Sequence, residues 1–225
     1  MRQIDVIAFD AYGTLFDVHS VVEAAEAAYP GHGTEISELW RNKQLQYTWL
    51  RSMMERYRPF SEVTRAALRF TLRDLDLPDE RDVEDRLMDA YLYLNPFPDT
   101  VKALPALRPR QLWIFSNGDP AMLEPLVANS GLDTLLDGLI SVDEAAVFKP
   151  SPRCYALIPQ RLGVPKNRIL LVSSNSFDVA GAANFGLATA WIRRTHRVPE
   201  ALDLSPDIEV DLLTDLPPAL DGLGP

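Results

Sequence analysis

Ile4-Asp5-Val6-Ile7-Ala8-Phe9-Asp10-Ala11-Tyr12-Gly13-Thr14 is the stretch on which the reading of this chain turns. Ile4 to Phe9 is short, apolar and rich in β-branched residues, and the turn residues at Gly13-Thr14 follow at once, so it reads as a buried strand ending in a turn. Similar apolar runs recur at Gln111 to Phe115, Gly138 to Val142, Ile169 to Ser173, Ala188 to Ile192 and Ile208 to Leu213. Helical patterns separate most of them; Pro120 to Asn129, for example, precedes Gly131, a helix stop. Strands alternating with helices predict an α/β fold, a parallel sheet with helices on both faces.

The stretch from Val18 to Leu94 has a different pattern. Ile36, Trp40, Tyr47, Leu50, Met54 and Tyr57 fall at spacings of three, four and seven, which predicts one amphipathic helix. Thr64 to Leu75 and Val83 to Leu94 predict two more, with Pro78 and the charge run Asp79 to Asp82 between them. The organisation expected is therefore a core formed by residues 1–16 and 96–225, with a helical insertion over 17–95 that returns near Pro96-Phe97-Pro98. The tail, with Pro217-Pro218 and Gly222, reads as a loose end.

Composition narrows the partners. Of 225 residues, 47% are hydrophobic and 24% charged, enough for a sizeable core and too apolar for a disordered chain. A formal net charge of -10 disfavours nucleic acid and anionic membrane, though a few local cations can still dominate a pocket for a small anion. The single cysteine, Cys154, excludes an internal disulfide and a cysteine-rich metal site, and reads as a buried inert thiol. His19, His32 and His196 are scattered, which argues against a Ser-His or Cys-His hydrolase and against a histidine metal site. With no signal-type apolar run at the start and no run of eighteen apolar residues, a cytoplasmic location without a membrane span is expected.

Ligands of open α/β sheets bind beyond the carboxyl ends of the strands. At those ends stand Asp10, then Ser116-Asn117-Gly118-Asp119, then Lys149-Pro150, then Ser173-Ser174-Asn175-Ser176-Phe177-Asp178. Taken singly, each has an ordinary reading: a turn aspartate, a Ser-Asn-Gly turn, a solvated Lys-Pro, a helix N-cap. The ordinary readings do not explain why all four reach one rim of the sheet in order.

The succession Asp10-x-Tyr-Gly-Thr14, Ser116-Asn117-Gly, Lys149-Pro and Ser174-Asn175-x-x-Asp178 is similar to the haloacid dehalogenase superfamily. Trp40 to Arg51 and Val172 to Asp178 resemble, more specifically, the cap helix and fourth motif of its L-2-haloacid dehalogenases. The resemblance implies a doubly wound Rossmann-like core with a helical cap inserted after the first strand. It also implies hydrolysis of a short L-2-haloacid to a D-2-hydroxy acid, with inversion at C2 and no cofactor or metal, by a homodimer. By resemblance Asp10 is the nucleophile, and Thr14 and Lys149 hold it. Arg41 and Asn117 receive the halide, and Ser116 binds the substrate carboxylate. Tyr155, Ser173, Asn175 and Asp178 surround Asp10 and the hydrolytic water, while Tyr12, Leu45, Phe60 and Phe177 form the apolar wall. Asn42 and Phe177 stand where many members carry Gln and Trp, a difference that bears on pocket size. Without the resemblance, Arg41 reads as a partner of Glu38 one turn earlier, and Tyr155 as a core aromatic.

The alternative is a phosphatase of the same superfamily. Such enzymes carry a second aspartate two residues after the nucleophile, where Tyr12 stands, and an acid four before the last aspartate, where Ser174 stands. A 2-haloacid brings its own carboxylate beside the carbon to be attacked. Two like charges about 4 Å apart repel by roughly 4 kcal/mol at an effective dielectric near 20. Nearby cations are therefore required, and Lys149 and Arg41 are the candidates.

Overall fold

The computed structural model describes residues 3–194, 198 and 200–221; His196 and Gly222 lie outside them. Six strands form one parallel sheet: β1 (Val6–Phe9), β2 (Gln111–Ser116), β3 (Gly138–Ser141), β4 (Ile169–Ser173), β5 (Ala188–Ile192) and β6 (Ile208–Val210). Their order is β3-β2-β1-β4-β5-β6. The chain steps one way from β1 to β3 and the other way from β4 to β6, the doubly wound arrangement expected. β1 and β4 are buried along their full length, as strands covered on both faces must be, and their apolar runs follow from that.

β6 is shorter than expected. Asp211 and Leu212 leave the ladder, the Leu212 N–H is taken by Asp215 Oδ2 at 3.2 Å, and a helical turn begins at Leu213. Val142 likewise belongs to the turn after β3, because the Ser141 hydroxyl caps the Asp143 N–H.

Among the described residues no strand lies between β1 and β2. The chain runs there through α1 (Val22–Ala28), α2 (Gly33–Met53), α3 (Phe60–Asp74) and α4 (Arg81–Ala90), then returns through α5 (Pro98–Ala106). Exit and return run side by side: Asp17 N–H donates to Asn95 O and Phe97 N–H to Leu15 O, both at 2.9 Å. The buried face of α2 is not the apolar one expected. Ile36, Ser37, Trp40, Gln44 and Thr48 face inward, while Leu50, Met53 and Met54 are exposed. Inward polar groups are tolerated because they are bonded: Gln44 Nε2 donates to Thr64 Oγ1 at 2.8 Å, and Trp40 Nε1 to Thr64 O at 2.8 Å. Tyr57 lies past the end of α2 and hydrogen-bonds Asp143. Three helices escaped the sequence reading: α1, whose alanine-rich Val22–Ala28 run buries only Ala25; α5, whose proline content obscured it; and the last helix, Leu216–Asp221, which includes the Pro217-Pro218 read as a loose end. The remaining helices are α6 (Pro120–Ser130), α7 (Pro152–Tyr155), α8 (Leu157–Leu162), α9 (Ser176–Phe185) and α10 (Leu216–Asp221).

Glu84 of α4 ties α3 down. Arg69 grips both of its oxygens at 2.5 and 2.9 Å, and Arg65 adds a bond at 3.2 Å. Burial works to raise the Glu84 pKa, but hydrogen bonding, from Arg69 first and then from Asp79 and Arg65, outweighs it and holds it at about 2, below its ordinary value of 4.5. Because the folded pKa is depressed, this stabilisation is present above the unfolded value and is lost as pH falls from about 4.5 towards 2. Glu84→Gln should cost on the order of 2 kcal/mol at pH 7. Denaturant titrations of both proteins should show the difference shrinking progressively below pH 4.5.

Candidate active site

Parallel strands present their carboxyl ends at one edge. β1 and β4 are the neighbours at which the winding reverses, so the crevice opens there. Phe9 pairs with Val172, and Asp10 N–H donates to Val172 O at 2.9 Å, which brings Asp10 and Ser173 side by side. The chain must then turn sharply. Gly13 takes φ +86°, a left-handed conformation that a side chain would strain, and it lies under Ser174.

Four side chains converge on the Asp10 carboxylate. Oδ2 accepts from Asn175 Nδ2 at 2.7 Å, Thr14 Oγ1 at 3.0 Å and Ser173 Oγ at 3.5 Å, whereas Oδ1 accepts from Lys149 Nζ at 3.2 Å. One oxygen is thus anchored by three donors, and the other is left with a single cation. Lys149 is 1% exposed and also donates to Asp178 Oδ2 at 2.8 Å and Phe115 O at 2.7 Å. Burial works to lower the Lys149 pKa, but the charges of Asp10 and Asp178 prevail and raise it. Asp178 is raised, first by burial and then by the charge of Asp10, against the opposing pull of Lys149 and Tyr155. Tyr155 donates to Asp178 Oδ1 at 2.8 Å and to its backbone oxygen at 3.1 Å, so it touches Asp178 and not Asp10; burial holds its phenol well above the ordinary range.

Arg41 makes no ion pair with Glu38. Its guanidinium donates to Gln44 Oε1 at 2.6 Å and to Tyr12 O at 3.2 Å, reaching from α2 to the loop that follows Asp10. Asn117 Oδ1 accepts the Lys149 backbone N–H at 3.0 Å, which leaves its amide donors free for another acceptor. Ser116 is fully buried, and its Oγ accepts from Gly118 N–H at 3.1 Å, so the contact it makes is within its own turn. Tyr12 packs on Phe60 with ring centroids 5.4 Å apart, and its hydroxyl has no partner. Leu45 and Phe177, with Arg41, Asn42, Trp49 and Asn175, line a cavity of about 450 Å³ that opens beside Gly13. Phe177 meets Trp49 edge-on at 5.3 Å.

Sequence reasoning missed three contributors. Ser174 N–H donates to Thr14 Oγ1 at 2.9 Å, which orients that hydroxyl; its place in the rim motif was the available signal. Gln44 orients Arg41, and no sequence pattern singled it out. Gly181, three residues after Asp178, lies against the Tyr155 hydroxyl with no room for a Cβ. The two described histidines are engaged separately, His19 bonding Ser37 and His32 bonding Glu35. Cys154 is buried with its thiol pushed up to about 12, chiefly by burial. Among the described residues no group of three or more His, Cys, Asp or Glu could hold a metal ion, and no helix is long and apolar enough to cross a membrane.

The arrangement is an immobilised carboxylate with one available oxygen, a shared buried cation and a second carboxylate behind it: the components of covalent catalysis followed by hydrolysis. Comparison with known proteins agrees. Residues 4–186 match the model of the haloacid dehalogenase-like hydrolases. The chain is 47% identical over 218 residues, 96% of each chain, to an (S)-2-haloacid dehalogenase of Pseudomonas putida. The solved L-2-haloacid dehalogenase of Xanthobacter autotrophicus superimposes with a TM-score of 0.94 at 44% identity, covering 99% of this chain and 100% of its own. A second structure of that enzyme, with chloropropionic acid covalently bound, gives a TM-score of 0.94 at 43% identity over the same shares of the two chains.

Proposed function

The chain belongs to the haloacid dehalogenase-like hydrolases, and from this we propose that it hydrolyses short L-2-haloacids to D-2-hydroxy acids through an ester on Asp10. The observation that carries the reading is the asymmetric hold on Asp10, three donors on Oδ2 against Lys149 alone on Oδ1.

In the first step Oδ1 attacks C2 from the side opposite the halogen. The O–C2 bond forms, the C2–halogen bond breaks with its electron pair on the halide, and C2 inverts. Arg41 and the free amide of Asn117 receive the halide; both offer donors, and Arg41 keeps its charge although burial lowers its pKa. In the second step Asp178 takes a proton from water as that water adds to the Asp10 carbonyl carbon. The acyl C–O bond breaks, Asp178 returns its proton to the departing alkoxide oxygen, the hydroxy acid leaves, and Asp10 loses the remaining water proton to solvent and is restored as a carboxylate. Thr14, Ser173 and Asn175 keep Oδ2 in place, and Tyr155 orients Asp178. Ser116 binds the substrate carboxylate through its hydroxyl proton, and Tyr12, Leu45, Phe60 and Phe177 exclude water around the alkyl group.

Residues 17–95 serve as a cap over a core of residues 1–16 and 96–225, a division supported by the adjacent exit and return segments. The exposed Leu50, Met53 and Met54 at the end of α2 support a homodimer, and the single buried thiol is in keeping with a cytoplasmic setting.

No metal is required, because a departing halide needs no proton and the substrate is not a phosphate dianion. Buried Tyr12 and Ser174 occupy the positions where the phosphatase alternative needs acids. After dialysis against a strong chelator, the protein should release halide from L-2-chloropropionate at its full rate, with negligible aryl phosphatase activity with or without magnesium. Halide release restored only by magnesium, or magnesium-dependent phosphate release, would overturn the assignment.

Arg41→Lys keeps the charge but loses the planar fork. It should lower kcat by about 100-fold, with a smaller change in KM, because charge develops on the halide only in the transition state. Steady-state halide release by Arg41→Lys and Arg41→Ala checks this, and near wild-type kcat in both would remove Arg41 from the mechanism.

A further inference from the structure

Arg194 is the second residue past the end of β5 and belongs to none of the motifs above. Its side chain is 8% exposed. Nε donates to Thr14 O at 2.8 Å, and a terminal nitrogen donates to Asp99 Oδ1 at 3.1 Å. The guanidinium carbon lies 3.8 Å from the Phe97 ring centroid. Asp99 is fixed in turn, its Oδ2 accepting the Leu213 N–H at 2.6 Å. A guanidinium held on all sides at such low exposure is a rigid strut, since burial without partners would be costly.

Thr14 is gripped at two points. Its hydroxyl donates to Asp10 Oδ2 at 3.0 Å, and its carbonyl accepts from Arg194. Phe97 and Asp99 lie on the return from the helical segment, where Phe97 N–H donates to Leu15 O and Thr100 Oγ1 donates to the same oxygen at 3.2 Å. We propose that Arg194 is a positioning residue for the nucleophile. It pins the Thr14 peptide, so that the Thr14 hydroxyl holds Asp10 in its attacking orientation, and it locks the nucleophile loop to the returning linker of the cap. The inference rests on the reading of Asp10 as nucleophile.

The test compares wild type, Arg194→Lys and Arg194→Ala with L-2-chloropropionate in single turnovers. Mass spectrometry follows alkylation of Asp10, and rates are expressed per titrated active site. Displacing a reacting group by a fraction of an ångström to 1 Å costs about 10- to 100-fold, and Arg194→Ala should slow ester formation by that factor. KM should change less than about 2-fold, because Arg194 touches neither the halide nor the carboxylate. Millimolar guanidinium, far below denaturing levels, should restore part of the rate in Arg194→Ala. Arg194→Lys should fall between the other two, since one ammonium cannot serve Thr14 and Asp99 in one plane. Hydrogen exchange at residues 13–16 should accelerate in Arg194→Ala and return towards wild type with guanidinium. A lower total activity with an unchanged rate per titrated site and unchanged exchange would make Arg194 merely structural and overturn the proposal. If wild type itself forms no ester on Asp10, the dehalogenase reading fails, and the exchange arm alone decides whether the clamp exists.

Discussion

Asp10→Asn should lower halide release by about 100,000-fold or more, the scale on which losing a covalent nucleophile falls. The substitution is nearly isosteric, so the fold should survive. An amide oxygen lacks the charge that the carboxylate brings to C2, and an amide N–H would be turned towards Lys149 or towards the donors on Oδ2. The wild type admits a sharper test. In a single turnover with enzyme in excess in heavy-oxygen water, the product hydroxyl should carry the light isotope and the label should remain in Asp10. A labelled product in that first turnover would mean that water attacks C2 directly, and the ester mechanism would be lost.

Lys149→Met removes a cation and keeps most of its volume. Lys149 is 1% exposed between Asp10 and Asp178. Breaking a buried ionic cluster by removing one partner costs about 3–5 kcal/mol, which denaturant titration at pH 7 should detect. The sign is set by the raised Lys149 pKa: its stabilisation is fully present below the unfolded value of 10.5 and is lost as pH rises through the higher folded value. At neutral pH the whole contribution is therefore at stake. Turnover should fall by at least about 1,000-fold, because the orienting charge on Oδ1 is gone. Combining Lys149→Met with Asp178→Asn removes one of the two stranded carboxylates and should recover part of the stability and none of the activity. Recovery of activity in the double variant would show that Lys149 serves only to neutralise Asp178.

The sheet was legible because its strands β1, β4 and β5 are buried along their whole length, so their apolar runs carry no competing period. Ile169 to Ser173 and Ala188 to Ile192 are bounded as expected. The edge strand β6 was read too long because Leu212 and Leu213 extend the apolar run although Leu212 is exposed and only Leu213 is buried. On α2 the periodicity located a helix but misplaced its buried face, because Ser37, Gln44 and Thr48 are buried as bonded polar groups that hydropathy counts as exterior. In the site, Lys149, Ser173 and Asn175 converge on Asp10 as their strand-end positions implied, whereas Ser116 and Asn117 make their bonds to Gly118 and the Lys149 backbone. Arg194 was illegible because the Thr14 carbonyl it bonds lies 180 positions away, and Gln44 because the bond that holds it inward beside Arg41 comes from Thr64, 20 positions on; no local pattern encodes such pairings.

The sharing of one ammonium between two carboxylates gives the reaction a built-in sequence. While Asp10 is a free anion, Lys149 divides its attraction, and the negative neighbour helps keep the pKa of Asp178 high. In the proposed reaction, alkylation turns Asp10 into a neutral ester and sends its charge out with the halide. From that moment Lys149 answers to Asp178 alone, and one of the causes raising Asp178 has vanished. The base is thus most firmly ionised only once there is an ester to hydrolyse, and a charge that departs in the first half of the cycle arms the second.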